Sequence, residues 1–318
     1  MGPEDGLLRF LRGLKRAVVV PHILVDVDAL ATAEGMCRLL ERIGVKAAAL
    51  VPERPDIFAW ALDERLRVRE APAGIPRIAV DTARPERLQV VGPVDVCIDH
   101  HEDNPGFAPL HWVQAAPSCT CLVAGLAEAL GVEVDAPLAT VLYRGLAGDT
   151  QGFTVGLEPN VFRWAARWVE AGADAEGVSE DLQRRSPGFW SYLSQVEQGG
   201  VSLDGPVPMR VVGVARGLPE RYSLLPYEHA LLPNHILPPP GGVLVILQEG
   251  SSGVRFRIRS RGLDILPLAH RLGGGGHPHA AGVQMQGVGL AAARDALLAA
   301  WDEVVGTSFP QHVAHRDR

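Results

Sequence analysis

The fold of this chain is indicated by the stretch AVVVPHILVDVDALATAEGMCRLLERI, residues 17–43. It opens with the β-branched run AVVVPHI, which is typical of a short buried strand. Apolar side chains then recur at the spacing of a helix, at Leu30, Ala33, Cys37, Leu40 and Ile43. The stretch therefore predicts a strand followed by a helix, which is the first part of a βαβ unit.

The segments that follow continue this alternation. Short apolar runs predict strands at residues 45–51, 77–81 and 94–99. Longer apolar segments predict helices at residues 118–131 and 136–150. The rhythm favours an α/β fold, with a parallel sheet that carries helices on both faces. In such sheets the ligand binds outside the carboxyl ends of the strands.

The hydrophobic pattern changes near the segment QGGVSLDGPVP, residues 198–208, which is rich in glycine and proline. A chain of 318 residues is also long enough for two domains. We expect a first domain over residues 1–185, a linker or hinge over residues 186–204, and a smaller α+β domain over residues 205–318. The active site is expected in the cleft between the two domains.

Composition limits the class of protein. The net charge of −7 argues against stable binding of long duplex nucleic acid, but it leaves room for a small anionic substrate. No apolar run reaches the roughly 18–20 residues that cross a bilayer, and the N-terminal segment lacks the layout of a signal peptide. We therefore expect a soluble cytoplasmic protein without a membrane partner. The four cysteines are scattered and are expected to be small buried thiols: Cys37, Cys97, Cys119 and Cys121.

Acidic and imidazole side chains follow the first predicted strand. The segment PHILVDVDAL places His22, Asp26 and Asp28 at a strand-to-helix turn. Residues two apart in an extended segment point the same way, so both aspartates can face one cavity. Carboxylates that close repel each other, and a divalent cation relieves the repulsion. A solvated turn with Asp28 as a helix cap is the alternative for this stretch.

Similar side chains follow the later apolar segments, at Asp81, Asp99, His100, His101 and Asp149. Each one alone is better explained as a helix cap or a turn residue. Together the two groups place five aspartates and three histidines at one edge of the predicted sheet. Oxygen and imidazole ligands suit Mn²⁺, Mg²⁺ or Co²⁺, with Zn²⁺ less favoured. The ligands suffice for two ions that share one carboxylate, an arrangement used for in-line displacement at phosphorus.

The predicted second domain contains RLGGGGHPHAAG, residues 271–282. Its glycines expose backbone N–H groups and let a ligand approach closely, although a flexible turn explains the run equally well. Upstream, alternation in VRFRIRSR predicts one strand face that carries Arg255, Arg257, Arg259 and Arg261. Such a face either binds phosphate or forms a solvated edge that resists aggregation.

In this order, the motifs resemble those of the DHH phosphoesterase superfamily. The triplet that names the superfamily corresponds to Asp99-His100-His101, and the H-x-x-x-D-x-D motif corresponds to His22, Asp26 and Asp28. Two further aspartates correspond to Asp81 and to Asp149 of GDT. The GGGGHPHAAG stretch resembles the signature of the DHH-associated C-terminal domain. That version is shared by RecJ-like nucleases and the nanoRNase/pAp-phosphatase group. The five motifs cover nearly the whole chain.

The resemblance implies specific roles for these residues. One metal ion would be held by His22, Asp26 and Asp81, and a second by Asp28, Asp81, His100 and Asp149, with Asp81 bridging the two. Asp99 would orient a histidine and His101 would face the substrate phosphate, so His101, Asp99 and His100 are the expected catalytic residues. The nucleotide side of the substrate would be held by Arg259, His277 and the loop Gly274, Gly275 and Gly276. Val25 and Gln151 depart from the family pattern and put the local turn geometry in question.

The activity implied by the resemblance is that of a metal-dependent phosphohydrolase. It would degrade short oligonucleotides to mononucleotides, dephosphorylate 3′-phosphoadenosine 5′-phosphate (pAp), or do both. Water would be activated by two divalent cations, with Mn²⁺ preferred and Mg²⁺ or Co²⁺ as alternatives. A RecJ-like single-strand exonuclease and a non-catalytic nucleotide sensor of the same fold remain the alternatives. The pattern is also compatible with a homodimer.

Overall fold

The computed structural model describes residues 3–88, 92–101, 104–225 and 228–308. The chain divides into two compact units, residues 1–184 and residues 185–318. Within the described part, no helix is both long enough and apolar enough to cross a membrane.

The first unit contains a six-stranded sheet and six α-helices among its described residues. The strands are β1 (Arg16–Val20), β2 (Lys46–Leu50), β3 (Arg67–Val68), β4 (Arg77–Val80), β5 (Val96–Asp99) and β6 (Leu110–Val113). The helices are α1 (Asp5–Gly13), α2 (Val27–Arg42), α3 (Cys119–Leu130), α4 (Ala136–Asp149), α5 (Pro159–Glu170) and α6 (Ala175–Gln183). Two 3₁₀ helices cover Asp56–Ala61 and Pro85–Arg87.

The sheet of the first unit is parallel throughout, in the order β3-β2-β1-β4-β5-β6. The predicted α/β class and parallel sheet are therefore confirmed. Strand β1 is followed by β2 on one side, while β4 lies on its other side. This reversal leaves a crevice at the carboxyl ends of β1 and β4, where ligands bind in doubly wound sheets.

The two faces of this sheet are covered differently. Alternate strand residues such as Val19 and Ile78 join a large core cluster with buried side chains from α1 to α5. Val18, Val20 and Cys97 point the other way, into a smaller cluster. That cluster is completed by residues outside the α-helices, among them Leu88, Val94 and Ala108. The described helices that bury side chains in these clusters therefore all pack on one face. In the described parts of the connections from β2 to β6, the structure has 3₁₀ turns and loops but no α-helix.

The second unit is built on a mixed sheet. Its strands are β7 (Val201–Leu203), β8 (Met209–Val214), β9 (Val243–Glu249), β10 (Gly253–Ser260), β11 (Gly275–His277) and β12 (Ala280–Gln286), in the order β11-β12-β10-β9-β8-β7. Only β8 and β9 pair in parallel. The helices are α7 (Phe189–Gln198), α8 (Leu218–Arg221), α9 (Leu266–Arg271) and α10 (Leu290–Ser308), with a 3₁₀ helix at Glu228–Asn234. One face packs against α9 and α10, the other against α7 and the 3₁₀ helix. This matches the expected smaller α+β domain.

The segment expected as a linker, residues 186–204, contains α7 and β7 and lies in the second unit. Tyr192 and Val196 of α7 are buried against β8 and β9. Because these apolar residues pack on the sheet, the segment is part of the core of the second unit. Its role as a hinge stays a prediction. The glycine run, expected as a loop, is partly a strand, because Gly275–His277 pairs with β12.

Candidate metal centre

Two predicted ligands lie where α2 begins, beside the carboxyl end of β1. Asp26 is the N-cap of α2 and its Oδ1 accepts a hydrogen bond of 3.0 Å from the backbone N–H of Ala29. Asp28 lies in the first turn and is buried. The predicted alternative made Asp28 a solvated cap, but the cap is Asp26 and Asp28 faces the interior.

His22 follows β1 and is buried. Its Nδ1 lies 2.6 Å from the carbonyl oxygen of Ile23, so Nδ1 carries the proton that is donated there. Nε2 is then the nitrogen that carries the lone pair, and it lies 3.7 Å from Asp26 Oδ2 and 3.7 Å from Asp81 Oδ2. These three side chains offer ligand atoms within 4.8 Å of one another. The structure therefore brings the first predicted ligand group together.

Asp81 follows β4 and is buried between two groups of ligands. Its φ of 54° is in the left-handed region, which aspartate enters more readily than most residues and which is common at functional sites. One carboxylate oxygen faces His22, while the other, Oδ1, lies 3.3 Å from His100 Nε2. Among the described residues, the buried Oδ1 has no hydrogen-bond partner. A carboxylate with an orphaned oxygen, whose two oxygens face different imidazole rings, fits a bridging metal ligand.

His100 is the centre of the second group. Its Nδ1 donates to the carbonyl oxygen of Ala116 at 3.0 Å, which again leaves Nε2 as the free ligand atom. Nε2 lies 3.7 Å from Asp149 Oδ2 and 4.0 Å from Asp28 Oδ2. Ligand atoms of His100, Asp28 and Asp149 lie within 4.8 Å of one another. Asp149 reaches the group because it is the last residue of α4.

The structure also shows how Asp28 is held in place. Its Oδ2 accepts a hydrogen bond of 2.7 Å from the backbone N–H of Cys119, the first residue of α3, and Oδ1 accepts one of 3.3 Å from Thr32. Gly145 of α4 packs directly on it, since a Cβ there would lie 2.5 Å from Asp28 Oδ1. None of these supports was predicted, and for Cys119 and Gly145 no local sequence pattern links residues so far apart.

The charges of the second group are out of balance. Burial and the carboxylates of Asp81 and Asp149 raise the pKa of Asp28 well above its usual value. Burial likewise raises the pKa of Asp149 to about 7, although His100 acts in the opposite direction. Burial alone lowers the pKa of His100, but the facing carboxylates outweigh it and raise that pKa to about 10. The group therefore has a surplus of negative charge, which a dication would neutralise.

Asp99 lies next to Asp81 and forms its hydrogen bonds with His101 and Asn104. Its Oδ1 accepts from His101 Nδ1 at 2.8 Å, and its Oδ2 accepts from Asn104 Nδ2 at 2.7 Å. Burial alone raises the pKa of Asp99, but these two hydrogen bonds outweigh it and lower the pKa. His101 is partly exposed and has its orientation set by a fully buried carboxylate. Asn104 was not among the predicted site residues, although it lies only three positions beyond the triplet.

The ligand set fits two divalent cations. Each group supplies one imidazole nitrogen and carboxylates, and Asp81 offers one oxygen to each. Carboxylate and imidazole donors suit Mn²⁺, Mg²⁺ or Co²⁺. Cysteine takes no part in these two groups, and the four thiols are free and buried, as predicted.

The residues predicted to hold the nucleotide lie in the second unit. Arg259 pairs directly with Ala280, and Ala280 pairs with His277, so all three share one face of the sheet. Gly276, next to His277, is needed for strand pairing, because a Cβ there would lie 2.6 Å from the carbonyl oxygen of Ala280. Gly276 is therefore required by the close approach of β11 and β12, and the flexible turn expected from the sequence does not explain it. Gly275 has open space around it.

Comparison with known proteins identifies the family. Residues 16–146 match the N-terminal domain of the DHH family, and residues 238–307 match the DHHA1 domain. Over 297 residues, the chain is 31% identical to the bifunctional oligoribonuclease and PAP phosphatase NrnA of Thermus thermophilus, covering 89% of this chain and 88% of that protein. The chain belongs to the DHH family. The resemblance to the superfamily and to its nanoRNase/pAp-phosphatase group is thus confirmed.

Solved structures of DHH proteins share this fold. An exopolyphosphatase-related protein from Bacteroides fragilis superposes with a TM-score of 0.82 at 18% identity, covering 94% of this chain and 95% of that one. RecJ in complex with Mn²⁺ from Thermus thermophilus superposes with a TM-score of 0.52 at 17% identity, covering 95% of this chain but 54% of that one. The fold of this DHH protein therefore follows the exopolyphosphatase-related protein more closely than RecJ.

Proposed function

We propose that this DHH protein is a metal-dependent phosphohydrolase that degrades short oligonucleotides to mononucleotides and dephosphorylates pAp. One observation carries the proposal: two groups of imidazole and carboxylate ligands meet at Asp81, whose two oxygens face opposite groups. Such a centre is suited to displacement at phosphorus. The substrate class is supported by the relative in Thermus thermophilus, which is named an oligoribonuclease and PAP phosphatase and matches over nearly its whole length.

The first ion would be held by His22, Asp26 and Asp81, and the second by Asp28, Asp81, His100 and Asp149. Two bound dications lower the pKa of water toward neutrality and neutralise charge on phosphoryl oxygens. We propose Mn²⁺ as the ion, with Mg²⁺ and Co²⁺ as alternatives. The nitrogen and oxygen donor set supports this choice, and a RecJ of the same fold was solved with Mn²⁺.

His101 would act on the substrate rather than on the metal. Asp99 accepts the Nδ1 proton of His101, so Nε2 is the nitrogen left for a phosphoryl oxygen. The hydrogen bond to Asp99 raises the pKa of His101, and in the protonated imidazole a hydrogen bond from Nε2 would stabilise the charge that develops on that oxygen during the displacement. Asn104 would keep Asp99 in place. Arg259 and His277, with Gly274, Gly275 and Gly276, would bind the nucleotide from the second unit.

Two alternative functions are supported less well than the proposed one. A RecJ-like exonuclease is favoured less, because the chain covers only 54% of the RecJ structure. A non-catalytic sensor is favoured less, because all the predicted ligands converge. The active site in a cleft between the units, the cytoplasmic location and a homodimer stay predictions.

The test is an assay of the purified chain with Mn²⁺ on pAp and on RNA of two to five nucleotides. Release of phosphate and of mononucleotides is expected. Asp81→Asn should abolish both, since it removes the proposed bridge. Asp174→Asn is the matched control, because Asp174 is the exposed N-cap of α6 and should leave both activities unchanged. Turnover retained in Asp81→Asn contradicts the proposed centre. Tight nucleotide binding without turnover of either substrate supports the sensor.

A further inference from the structure

The second unit contains a cavity of about 260 Å³ that none of the residues discussed for catalysis or nucleotide binding lines. It lies at the end of the sheet where β9 turns into β10. Its polar side chains come from adjacent strands and from the 3₁₀ helix, and they are Arg255, Arg257, Gln248, Gln284 and His229. The backbone of the turn, residues 250–253, completes the wall.

The strand register explains why these side chains converge. Arg255 pairs directly with Gln248 of β9 and with Gln284 of β12, so the three side chains share one face of the sheet. Arg257 follows two residues along the same face, and its partner on β12 is Gly282, which has no side chain. Two guanidinium groups and two carboxamides therefore lie side by side, with space beside Arg257.

Arg257 is partly buried and is held in a defined orientation. Its Nε donates a hydrogen bond of 2.8 Å to Gln248 Oε1, and Gln248 is itself buried and donates to the carbonyl oxygen of His229 at 3.4 Å. This fixes the guanidinium and leaves its two terminal amino groups for another partner. A planar fork held in this way matches two oxygens of one anion.

The cavity contains cations without an internal counter-charge. Among the described residues, neither Arg255 nor Arg257 forms an ion pair. The one carboxylate in the lining, Glu249, pairs opposite Val254 on the other face and accepts from the backbone N–H of Arg216. Burial, together with Arg255 and Arg259, lowers the pKa of Arg257 to about 10. A partly buried guanidinium surrounded by other cations is costly unless an anion neutralises it.

We propose that this cavity, the arginine pocket, binds a phosphomonoester of a nucleotide ligand. The pocket is too small and too polar for an apolar ligand, and its forked donors suit a dianion. Arg257 and Arg255 lie two and four residues before Arg259 on one strand face, which places them roughly 7 Å and 14 Å from it along β10. An oligonucleotide held at Arg259 can therefore extend a terminal phosphate along the whole pocket, whereas pAp held there is too short to reach Arg255. This use of the pocket rests on the proposed function.

The test measures binding of the full chain, in EDTA, to pentanucleotide RNA with a phosphate at the 5′ end, at the 3′ end or at neither end. The wild type should bind one phosphorylated form about tenfold more tightly than the unphosphorylated form, the magnitude of a charge-assisted contact. The double variant Arg255→Gln with Arg257→Gln should lose this preference. Arg294→Gln, an exposed residue of α10, is the matched control and should behave as the wild type.

A second arm distinguishes the source of the phosphate. If AMP binds to the wild type but not to the double variant, while all three pentanucleotides bind alike, the pocket holds a free nucleotide instead of the end of a substrate. Equal binding of every probe to the wild type and the double variant overturns the proposal. If the double variant does not fold, Arg255→Gln alone should show a smaller loss, because Arg255 is exposed. Since binding is measured without metal, a chain that hydrolyses nothing would refute the proposed function without affecting this test.

Discussion

Gly145 is predicted to be the position where adding one methyl group disturbs the metal centre most directly. It lies in α4 where this helix crosses α2, and a Cβ there would lie 2.5 Å from Asp28 Oδ1 and in conflict with Thr120. Asp28 cannot retreat freely, because its other oxygen is held by the N–H of Cys119 at 2.7 Å. Gly145→Ala should therefore displace the carboxylate or push the two helices apart.

The size of the effect follows from two opposing contributions. Alanine stabilises a helix interior by up to about 1 kcal/mol relative to glycine. Overpacking in a filled core costs about 1–3 kcal/mol. We expect a net loss of about 1 kcal/mol, which lowers the melting temperature of a unit of this size by about 2–4 °C. Displacing a support of a metal ligand should in addition weaken Mn²⁺ binding by about 10–100-fold.

Gly35 provides a matched control on the facing helix. It is also a buried helical glycine, but a Cβ there would meet Leu142, Val123 and Val141 at 3.5–3.6 Å, which is ordinary contact. Gly35→Ala should therefore keep the gain in helix propensity and raise the melting temperature slightly, with unchanged Mn²⁺ affinity. The two variants add the same atom to the same helix pair.

Calorimetric titration with Mn²⁺ and thermal unfolding in EDTA measure the two effects separately. The reasoning is refuted if Gly145→Ala binds Mn²⁺ as tightly as the wild type and melts no lower. It is also refuted if Gly35→Ala loses as much metal affinity as Gly145→Ala, because the effect would then not depend on contact with Asp28.

Three further outcomes are expected. Asn104→Ala leaves a buried oxygen of Asp99 without its donor, so kcat should fall by about tenfold with unchanged Mn²⁺ affinity, whereas Asn160→Ala should have no effect. Glu34→Ala removes the acceptor of Arg38, Arg144 and the N–H of Asp63. Urea denaturation should show that the free energy of unfolding falls by about 3–5 kcal/mol. The exposed control Glu41→Ala should lower it by less than about 0.5 kcal/mol. Without metal, the folded state binds more protons than the unfolded state, because the folded pKa values of Asp149 and His100 are raised to about 7 and about 10. The melting temperature of the metal-free chain should therefore fall as the pH rises from 4 to 10, and added Mn²⁺ should reduce that fall. A melting temperature that rises with pH in EDTA would contradict the raised pKa values of Asp149 and His100.

The position of the site at the sheet edge could be predicted because it follows from backbone periodicity. Apolar runs locate β1, β4 and β5, and parallel strands present their carboxyl ends together. Each of His22, Asp81 and Asp99 follows or ends one of these strands, so their proximity needs no tertiary information. Periodicity was less informative about which face of the sheet the helices cover, because it does not show on which side of the sheet a connection between two strands runs.

The orientation of the side chains could not be predicted. In His22 and His100, Nε2 is the nitrogen that faces the carboxylates only because a carbonyl oxygen lies beside each Nδ1. The left-handed backbone conformation of Asp81 affects where its two oxygens point. No local sequence pattern predicts that conformation at an aspartate. The close passage of α2 and α4 at Gly145 likewise depends on residues more than a hundred positions apart.

The centre can assemble before a cation arrives because part of its repulsion is offset by the fold. Asp26 and Asp28 accept backbone N–H groups at the beginnings of α2 and α3, where helix dipoles favour negative charge. Among the described residues, Asp149 has no such donor; it lies at the opposite end of its helix, and its pKa is raised to about 7. The helix termini therefore hold two carboxylates in place, while Asp149 depends on His100 or on a cation. It follows that Asp149 should be the ligand whose orientation changes most when metal binds.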